Sequence, residues 1–223
     1  MVLMLGCVIT SRAADFEGWI HSVIKDGKNE VALSYAIKDQ RMRVEMPAEK
    51  GGPMAAAILN TAKQEMTIVM AEEKMAMVMP LKQAVGKAEK EIEQANATWE
   101  KTGETKDILG YSCTKYIGTN NGERYEVWAT DELGRFVGPG ALNPMQRKKA
   151  GGWEQMLAGQ NFFPLEMTGY DRKGKTSFTL TTKKVERKSL ADSLFTVPEG
   201  YQTMNMGNML GGMGGGGFNP FGK

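Results

Sequence analysis

The amino-acid sequence predicts a mainly β fold, with an antiparallel sheet in a single domain. First, apolar and polar residues alternate along several short runs, as they do in strands with one buried face. Second, glycine-containing turns such as Asp26-Gly27-Lys28 and Asn120-Asn121-Gly122 separate neighbouring runs and favour hairpins. Third, a chain of 223 residues is long enough for one sizeable core. We therefore expect one β domain, over residues 14–202, followed by a tail.

The segment before this domain has the pattern of a secretory signal peptide. Met1 to Thr10 is apolar, and Ser11-Arg12-Ala13-Ala14 follows it with small residues that suit a cleavage site. Because a basic leading region is missing, we interpret residues 1–13 as a signal peptide that is truncated or has a misassigned start. Lipidation at Cys7 is an alternative interpretation. Either interpretation predicts a periplasmic or secreted protein of the bacterial cell envelope.

The first three strands are predicted directly from alternation. Phe16 to Lys25 and Asn29 to Lys38 lie on either side of a turn, and Arg41 to Met46 forms the third strand. In this third strand apolar residues alternate with charged ones, so we expect one face in the core and the other in water. The apolar side of the third strand consists of Met42, Val44 and Met46.

A methionine-rich hairpin is the most distinctive part of the sequence. Between Gln64 and Leu81, two alternating runs flank a turn at Ala71 to Lys74. Pairing Met70 with Met75 places a row of thioethers on one face, and the predicted strand from Met54 to Asn60 adds small residues beside it. We call this apolar surface, extended to the third strand, the Met face; its members are Met42, Val44, Met46, Ala55, Ala57, Met66, Ile68, Met70, Met75, Met77 and Met79.

Two interpretations of the Met face stay open. Small residues beside long, flexible thioethers leave room that an acyl chain or another apolar ligand could occupy. The same residues could instead be core filler beneath a helix of the protein itself. Such a helix is predicted from Leu81 to Ala97, where apolar residues recur at helical spacing. Its narrow, alanine-rich stripe suits close packing on a sheet, so we expect this helix to cover the Met face.

The second half of the chain continues the strand pattern. An irregular region contains a predicted helix from Asn143 to Leu157, which carries Met145, Trp153 and Met156. Ser189 is predicted to cap a short helical turn near the end of the domain. The strands predicted in this half are Gly110 to Gly118, Arg124 to Thr130, Phe163 to Tyr170 and Thr176 to Val185.

The C-terminal segment has a different composition. From Thr203 the chain is rich in methionine and glycine, which predicts a disordered tail over residues 203–223. Thioethers select soft metal ions such as Cu(I). A Cu(I) site in the tail is therefore an alternative that ranks below a plain flexible segment; its ligands would be Met204, Met206, Met209 and Met213.

The composition argues against several classes of function. The 28 basic and 26 acidic side chains nearly cancel, and no cluster of Lys and Arg alternates with aromatic residues, so the sequence shows no electrostatic pattern typical of nucleic-acid binding. The single histidine, His21, and Cys113 show no Cys-His signature at either place. No phosphate-binding loop, Cys-x-x-Cys pair or Gly-x-Ser-x-Gly elbow occurs. We expect no cofactor and no enzymatic activity, a structural role for His21, and a small buried side chain for Cys113.

Five motifs, taken together with the Met-rich hairpin, are distributed over most of the chain after residue 14. They are Thr102 to Lys106, Ile108 to Cys113, Glu126 to Gly134, Phe163 to Met167 and Asp192 to Tyr201. Together with the Met-rich hairpin and the tail, these motifs resemble a family of exported bacterial proteins whose domain has no known function.

The layout of that family is in turn similar to the periplasmic lipoprotein carriers of the LolA, LolB and LppX group. This resemblance implies a curved antiparallel sheet of roughly ten strands that forms an open half-barrel, with one or two helices packed on its concave face. It also implies an apolar cavity that holds acyl chains between sheet and helix. The interior polar residues that latch the lid of such carriers have no counterpart here, because Arg41 and Arg43 fall on the polar face of their strand.

Three functions follow, in order of preference. The first is binding of a lipid, a lipoprotein acyl chain or another apolar small molecule in a cavity lined by the Met face. The second is a structural or interaction protein of the cell envelope, whose tail or exposed strand edge recruits a protein partner. The third is Cu(I) binding through the methionines of the tail.

Overall fold

A single sheet of 12 strands is the framework of the protein in a computed structural model, which describes residues 16–46, 55–81, 98–138, 152–157 and 160–206. The regular structure also includes one short helix, α1 (Gly152–Leu157), and a 3-10 turn at Asp192–Phe195. The strands are β1 (Gly18–Asp26), β2 (Asn29–Lys38), β3 (Arg41–Met46), β4 (Ala55–Asn60), β5 (Glu65–Met70), β6 (Met75–Pro80), β7 (Thr98–Ile108), β8 (Tyr111–Asn120), β9 (Glu123–Thr130), β10 (Phe163–Tyr170), β11 (Thr176–Arg187) and β12 (Gln202–Asn205).

The strands pair in the order β12-β6-β5-β4-β3-β2-β1-β11-β10-β9-β8-β7. Neighbouring strands are antiparallel except for β12, which lies parallel to β6. The sheet is open, because β12 and β7 are its terminal strands and do not pair with each other. The prediction of a mainly β, largely antiparallel fold is confirmed. The parallel strand β12 is an addition that the alternation pattern did not predict.

Glycine turns connect the hairpins as expected. The β8–β9 hairpin closes through Asn121 and Gly122, whose φ angles are 50° and 82°. Asn and Gly adopt this left-handed conformation more readily than other residues, so the turn fixes the register of both strands. The β7–β8 hairpin uses Leu109 and Gly110 in the same conformation, with φ angles of 54° and 83°.

One face of the sheet, which we call the inner face, carries a cross-strand row of apolar side chains from β11 to β12. Within this row Ile20, Tyr35, Val44 and Ala57 have no exposed surface. Each member pairs in register with the next; in order they are Val185, Ile20, Tyr35, Val44, Ala57, Ile68, Met77 and Met204. The inner face is therefore one continuous apolar surface across these strands.

Aromatic residues complete the core over the middle of the inner face. The Tyr35 ring packs edge-on against Phe163, with ring centroids 5.1 Å apart. Phe136 contacts both rings, at 5.7 Å and 5.6 Å. Trp153 of α1 stacks on Phe178 of β11 at 4.9 Å. The C-terminal part of the helix predicted from Asn143 is thus present as α1 and packs on the sheet, while Met145 lies outside the described residues.

The opposite, outer face carries a second apolar cluster that the sequence did not predict. Residues 188–201, which we call the strap, leave β11 and lead to β12, and they pack on the outer face on the way. Leu190 and Phe195 of the strap are buried against apolar residues of β2, β4 and β5, namely Ala36, Ala56, Ile58 and Val69. Burial of apolar surface on both faces adds to the driving force for folding.

The strap corrects the prediction that the polar side of β3 faces water. The Arg43 side chain is only 16% exposed. Its guanidinium donates hydrogen bonds to Glu45, at 2.5 Å, and to the Leu194 carbonyl of the strap, at 3.3 Å. Arg41 donates to Asp192 at 2.7 Å and lies over the Phe195 ring at 5.0 Å. The charged side chains of β3 therefore anchor the strap.

Two further sequence predictions are corrected. The 3-10 turn begins after Ala191 and has no side-chain cap, whereas Ser189 donates instead to Glu17 at 3.4 Å. Thr203–Asn205, predicted as the start of the tail, lie in β12.

Three predicted segments lie wholly or almost wholly outside the described residues: the signal peptide over residues 1–13, the rest of the tail from residue 207, and the helix from Leu81 to Ala97, of which only Leu81 is described. Among the helices that the structure describes, none is long and apolar enough to cross a membrane.

Candidate functional site

The Met face is assembled in the register that the sequence predicts. Met70 pairs with Met75, Ile68 with Met77, and Met66 with Met79. On the other side of β5, the backbones of Ala55, Ala57 and Leu59 pair with Met70, Ile68 and Met66. On β3, Met42 pairs with Leu59, Val44 with Ala57, and Met46 with Ala55. All eleven predicted positions are thereby placed side by side on neighbouring strands, and their role in binding a ligand stays a prediction.

The Met face is buried unevenly. Met66 and Met79, near the end of the hairpin away from its turn, are 1% and 7% exposed. Ile68 is 6% exposed and Met42 is 9% exposed, while Val44 and Ala57 are fully buried. By contrast, the three methionines nearest the Ala71–Lys74 turn are only partly buried; they are Met70, Met75 and Met77. The Met face is therefore closed at one end and accessible beside this turn.

Two methionines of the predicted tail add to the apolar surface around the Met face. Met204 on β12 pairs with Met77, and Met206 packs against the same core. The alternation Met204, Asn205, Met206 indicates a strand, whereas the glycines that follow it favour a tail. Both thioethers are partly buried, and Met209 and Met213 lie outside the described residues, so the Cu(I) alternative stays a prediction.

The Tyr35 side chain places a buried hydroxyl on the apolar inner face, beside the Met face. Tyr35 pairs in register with Val44, and its hydroxyl has no hydrogen-bond partner where the chain is described. Burial raises the pKa of Tyr35 well above its ordinary value, and the negative charge of Glu154 makes a smaller contribution in the same direction. The phenol is therefore neutral. A neutral, unpaired hydroxyl at this place can donate to or accept from a polar atom at the end of an apolar ligand.

His21 lies in a hydrogen-bonded line on the outer face. Its Nδ1 is 2.9 Å from the Ser34 hydroxyl, and its Nε2 is 3.3 Å from a Glu186 oxygen. A Ser-His-carboxylate line is also the arrangement of many hydrolases. Here the three residues lie on β2, β1 and β11, which pair with strands on both sides. The line therefore links side chains of three neighbouring strands, and the structural role expected of His21 stays a prediction.

Cys113 is a free, fully buried thiol, which confirms the prediction of a small core residue. Burial raises the pKa of this thiol to about 11. The thiolate form that attacks electrophiles or binds metals is thus scarce at neutral pH. Across the described ranges, no group of three or more His, Cys, Asp and Glu side chains is placed to hold a metal ion.

Comparison with protein families gives one match. Residues 16–201 match the family described as "Domain of unknown function (DUF4412)". The match spans most of the chain and agrees with the motifs that pointed to a domain of unknown function. None of the curated proteins compared with the chain matches it.

Solved structures with similar folds include an uncharacterized conserved protein from Thermus thermophilus. It is 14% identical, with a TM-score of 0.50 over 87% of this chain and 94% of that chain. MucB, in its Pseudomonas aeruginosa complex with MucA, is 8% identical, with a TM-score of 0.46 over 86% of this chain and 59% of that one. A putative outer membrane lipoprotein-sorting protein domain from Vibrio parahaemolyticus is 11% identical, with a TM-score of 0.22 over 80% of this chain and 87% of that one. The Thermus protein shows a shared fold alone, and the two lower scores support no functional argument.

Proposed function

Because the chain belongs to the DUF4412 family, a domain of unknown function, we propose its function from the geometry of its own sheet. The protein binds a lipid, a lipoprotein acyl chain or another apolar ligand against the Met face. It acts as a non-enzymatic binding protein of the bacterial cell envelope. The apolar N-terminal segment followed by Ser11-Arg12-Ala13-Ala14 supports export.

The observation that carries this proposal is the row of apolar side chains that ends in partly buried thioethers. From Val44 to Ile68 the row is closed, and at Met77 and Met204 it reaches accessible surface. An acyl chain laid along Met70, Met75 and Met77 would exchange contact with water for contact with thioethers. Methionine suits this task because its unbranched side chain adapts to ligands of different shape.

The finer layout of the site is also part of the proposal. In this proposed layout, the sheet curves as an open half-barrel and forms the fixed wall of the cavity. The amphipathic segment from Leu81 to Ala97 forms the helix that covers the Met face and moves to admit a ligand. Its sequence pattern supports this role, since its alanine-rich stripe permits close and reversible packing on the sheet.

Titration of the purified full chain with cis-parinaric acid, a fluorescent fatty acid, tests the proposal. Met77→Glu introduces a carboxylate on the Met face, and the cost of desolvating that charge is expected to weaken binding by about tenfold or more. The matched control is Val78→Glu, because Val78 is the next residue of β6, is also partly buried and points to the outer face. An equal loss of fatty-acid affinity in the two folded variants, or no saturable binding of the fatty acid by the native chain, would contradict the proposal.

A second candidate function is supported by the edge strand β7. Thr98–Ile108 pairs with β8 on one side, and no other described strand lies on its far side. Such an edge can pair with an extended segment of another protein. In this alternative the chain is an interaction protein of the envelope, which recruits its partner through β7 or the tail. If the tail recruits the partner, deletion of residues 207–223, which keeps β12, would reduce partner capture and leave fatty-acid binding unchanged; if β7 recruits it, a proline in β7, such as Thr105→Pro, would do so instead.

A further inference from the structure

A polar cleft lies on the inner face at the end of the sheet remote from the Met face. Its volume is about 380 Å³, and its walls come from β7, β8, the end of β9 and residues 160–162. None of the Met-face residues lines it. Three of its side chains, Ser112, Thr114 and Tyr116, form a row on β8, because alternate residues of a strand point to the same face. Thr114 lies opposite Ala129, whose small side chain leaves space above the sheet.

Five of the polar side chains that line this cleft are free to bind a ligand, whereas Thr130 accepts a hydrogen bond from the Glu132 backbone N–H and Asn161 accepts one from Arg135. Within the described ranges, no side-chain hydrogen bond or ion pair engages Lys101, Ser112, Thr114, Asp131 or Gln160. They are a mixed set of donors and acceptors: two hydroxyls, an amide, an ammonium and a carboxylate. One positive and one negative side chain nearly cancel, so the cleft favours neither an anion nor a cation. It suits a neutral ligand with many hydroxyl groups.

The cleft also has a fixed aromatic wall. Tyr116 stacks on Phe162, with centroids 4.7 Å apart and planes at 26°. Trp99 packs edge-on against both rings, at 6.4 Å and 5.9 Å. The Trp99 indole is itself held in place, because its N–H donates to the Met156 carbonyl of α1 at 3.1 Å. The partly exposed Tyr116 ring thus offers a rigid apolar surface beside the free hydroxyls.

We propose that this cleft binds a neutral saccharide. The C–H groups on one face of a sugar ring pack against Tyr116, and the hydroxyls of the sugar exchange hydrogen bonds with Ser112, Thr114, Asp131 and Gln160. An acyl chain does not suit the cleft, since it would leave these polar groups without water or a partner. An inorganic anion does not suit it either, because the Asp131 carboxylate offsets the attraction of the Lys101 ammonium. This site is separate from the Met face and goes beyond the apolar-ligand function proposed above.

The test is isothermal titration calorimetry of the full chain with chitotetraose, cellotetraose and maltotetraose, and separately with inorganic phosphate. We expect saturable binding of at least one tetrasaccharide and none of phosphate. The double variant Ser112→Ala/Thr114→Val removes two hydroxyls and is expected to weaken binding by about tenfold. The matched control, Thr168→Val on β10, removes a hydroxyl that is partly buried, as that of Thr114 is, but lies outside the cleft, and it should leave the dissociation constant unchanged.

Two readouts keep the outcome clear. Fluorescence of Trp99, adjoining the cleft, should change on sugar addition in the native chain and in the control. A Trp99→Phe variant, which keeps an aromatic ring, should lose this signal while still releasing heat on binding. The proposal would be overturned if no tetrasaccharide released heat at millimolar concentration. It would also be overturned if the double variant bound the sugar as tightly as the native chain does, or if the native chain bound phosphate in preference to the sugars. Since the fatty-acid titration uses other residues, either proposal can fail while the other stands.

Discussion

At the scale of single residues, Tyr35 is the most informative side chain of the inner face. It is fully buried at the border of the Met face, and its hydroxyl is unpaired within the described structure. An unpaired buried hydroxyl costs free energy, because its hydrogen bonds to water are lost on folding and not replaced. Natural sequences retain such a group when it serves another purpose, and contact with the polar end of a ligand is one such purpose.

Replacement of this hydroxyl should therefore stabilise the ligand-free protein. Tyr35→Phe is expected to raise the free energy of unfolding by about 1 kcal/mol, measured by urea denaturation. Tyr125→Phe is the matched control, because the Tyr125 hydroxyl donates to Glu123 and its removal should lower stability. A loss of stability in Tyr35→Phe similar to that of the control would show that its hydroxyl is satisfied in solution.

At the scale of elements, the strap is the part of the molecule that sequence patterns missed. Phe195 is buried and Leu194 only partly buried. Phe195→Ala should lower the free energy of unfolding by about 3 kcal/mol through the cavity it leaves. It should also speed hydrogen exchange in β12, which follows the strap directly. Leu194→Ala should have a smaller effect on both measurements, and an equal effect would contradict this account of the strap.

Acid should weaken the interactions that attach the strap to the sheet. Hydrogen bonds from Arg41 and Lys38 lower the pKa of Asp192 below its usual 3.8, and the Leu190 backbone N–H lowers the pKa of Glu17 below its usual 4.5. The folded state favours the charged forms of both carboxyls. Their contribution to the free energy of unfolding is therefore complete at a pH above the ordinary pKa values, and it is lost as the pH falls through the lowered pKa values. Urea denaturation at pH 6 and pH 3 should show a smaller acid-induced loss for Asp192→Asn than for the native chain.

A matched variant separates this effect from general acid destabilisation. Glu199→Gln removes an exposed carboxylate of the same strap and should keep the native response to pH. If Asp192→Asn and the native chain lose the same stability between the two pH values, the ion pairs with Arg41 and Lys38 do not hold the strap.

Alternation predicted the hairpins because one face of each strand is buried and the other is not. It also predicted the register of β4, β5 and β6, since shifting the pairing by one residue would move Met66, Ile68 and Met70 away from the core. It failed for β7, whose residues from Thr98 to Ile108 are mostly exposed on both faces and carry no alternating pattern. It also failed for the outer face of β3, because nothing local to Arg43 indicates that a segment from the far end of the chain will cover it.

At the scale of the whole molecule, the inner face changes in character from one edge to the other. Thioethers dominate at β5, β6 and β12, aromatic rings occupy the middle, and free hydroxyls line the cleft at β7, β8 and β9. The apolar end was predictable, because methionine at alternate positions is a strong pattern. The polar cleft was not, since Ser112, Asp131 and Gln160 are distant in sequence and only the order of strands brings them together.

The central claim is that the Met face holds an apolar ligand, and native mass spectrometry tests it most directly. The full chain would be purified gently from a bacterial envelope, and any bound molecule extracted and identified. We expect a stoichiometric apolar adduct that Met70→Glu or Met77→Glu reduces, while Val78→Glu retains it and all three variants keep the native circular dichroism spectrum. A mass equal to that of the bare chain, or an adduct that survives both Met-face substitutions, would contradict the claim.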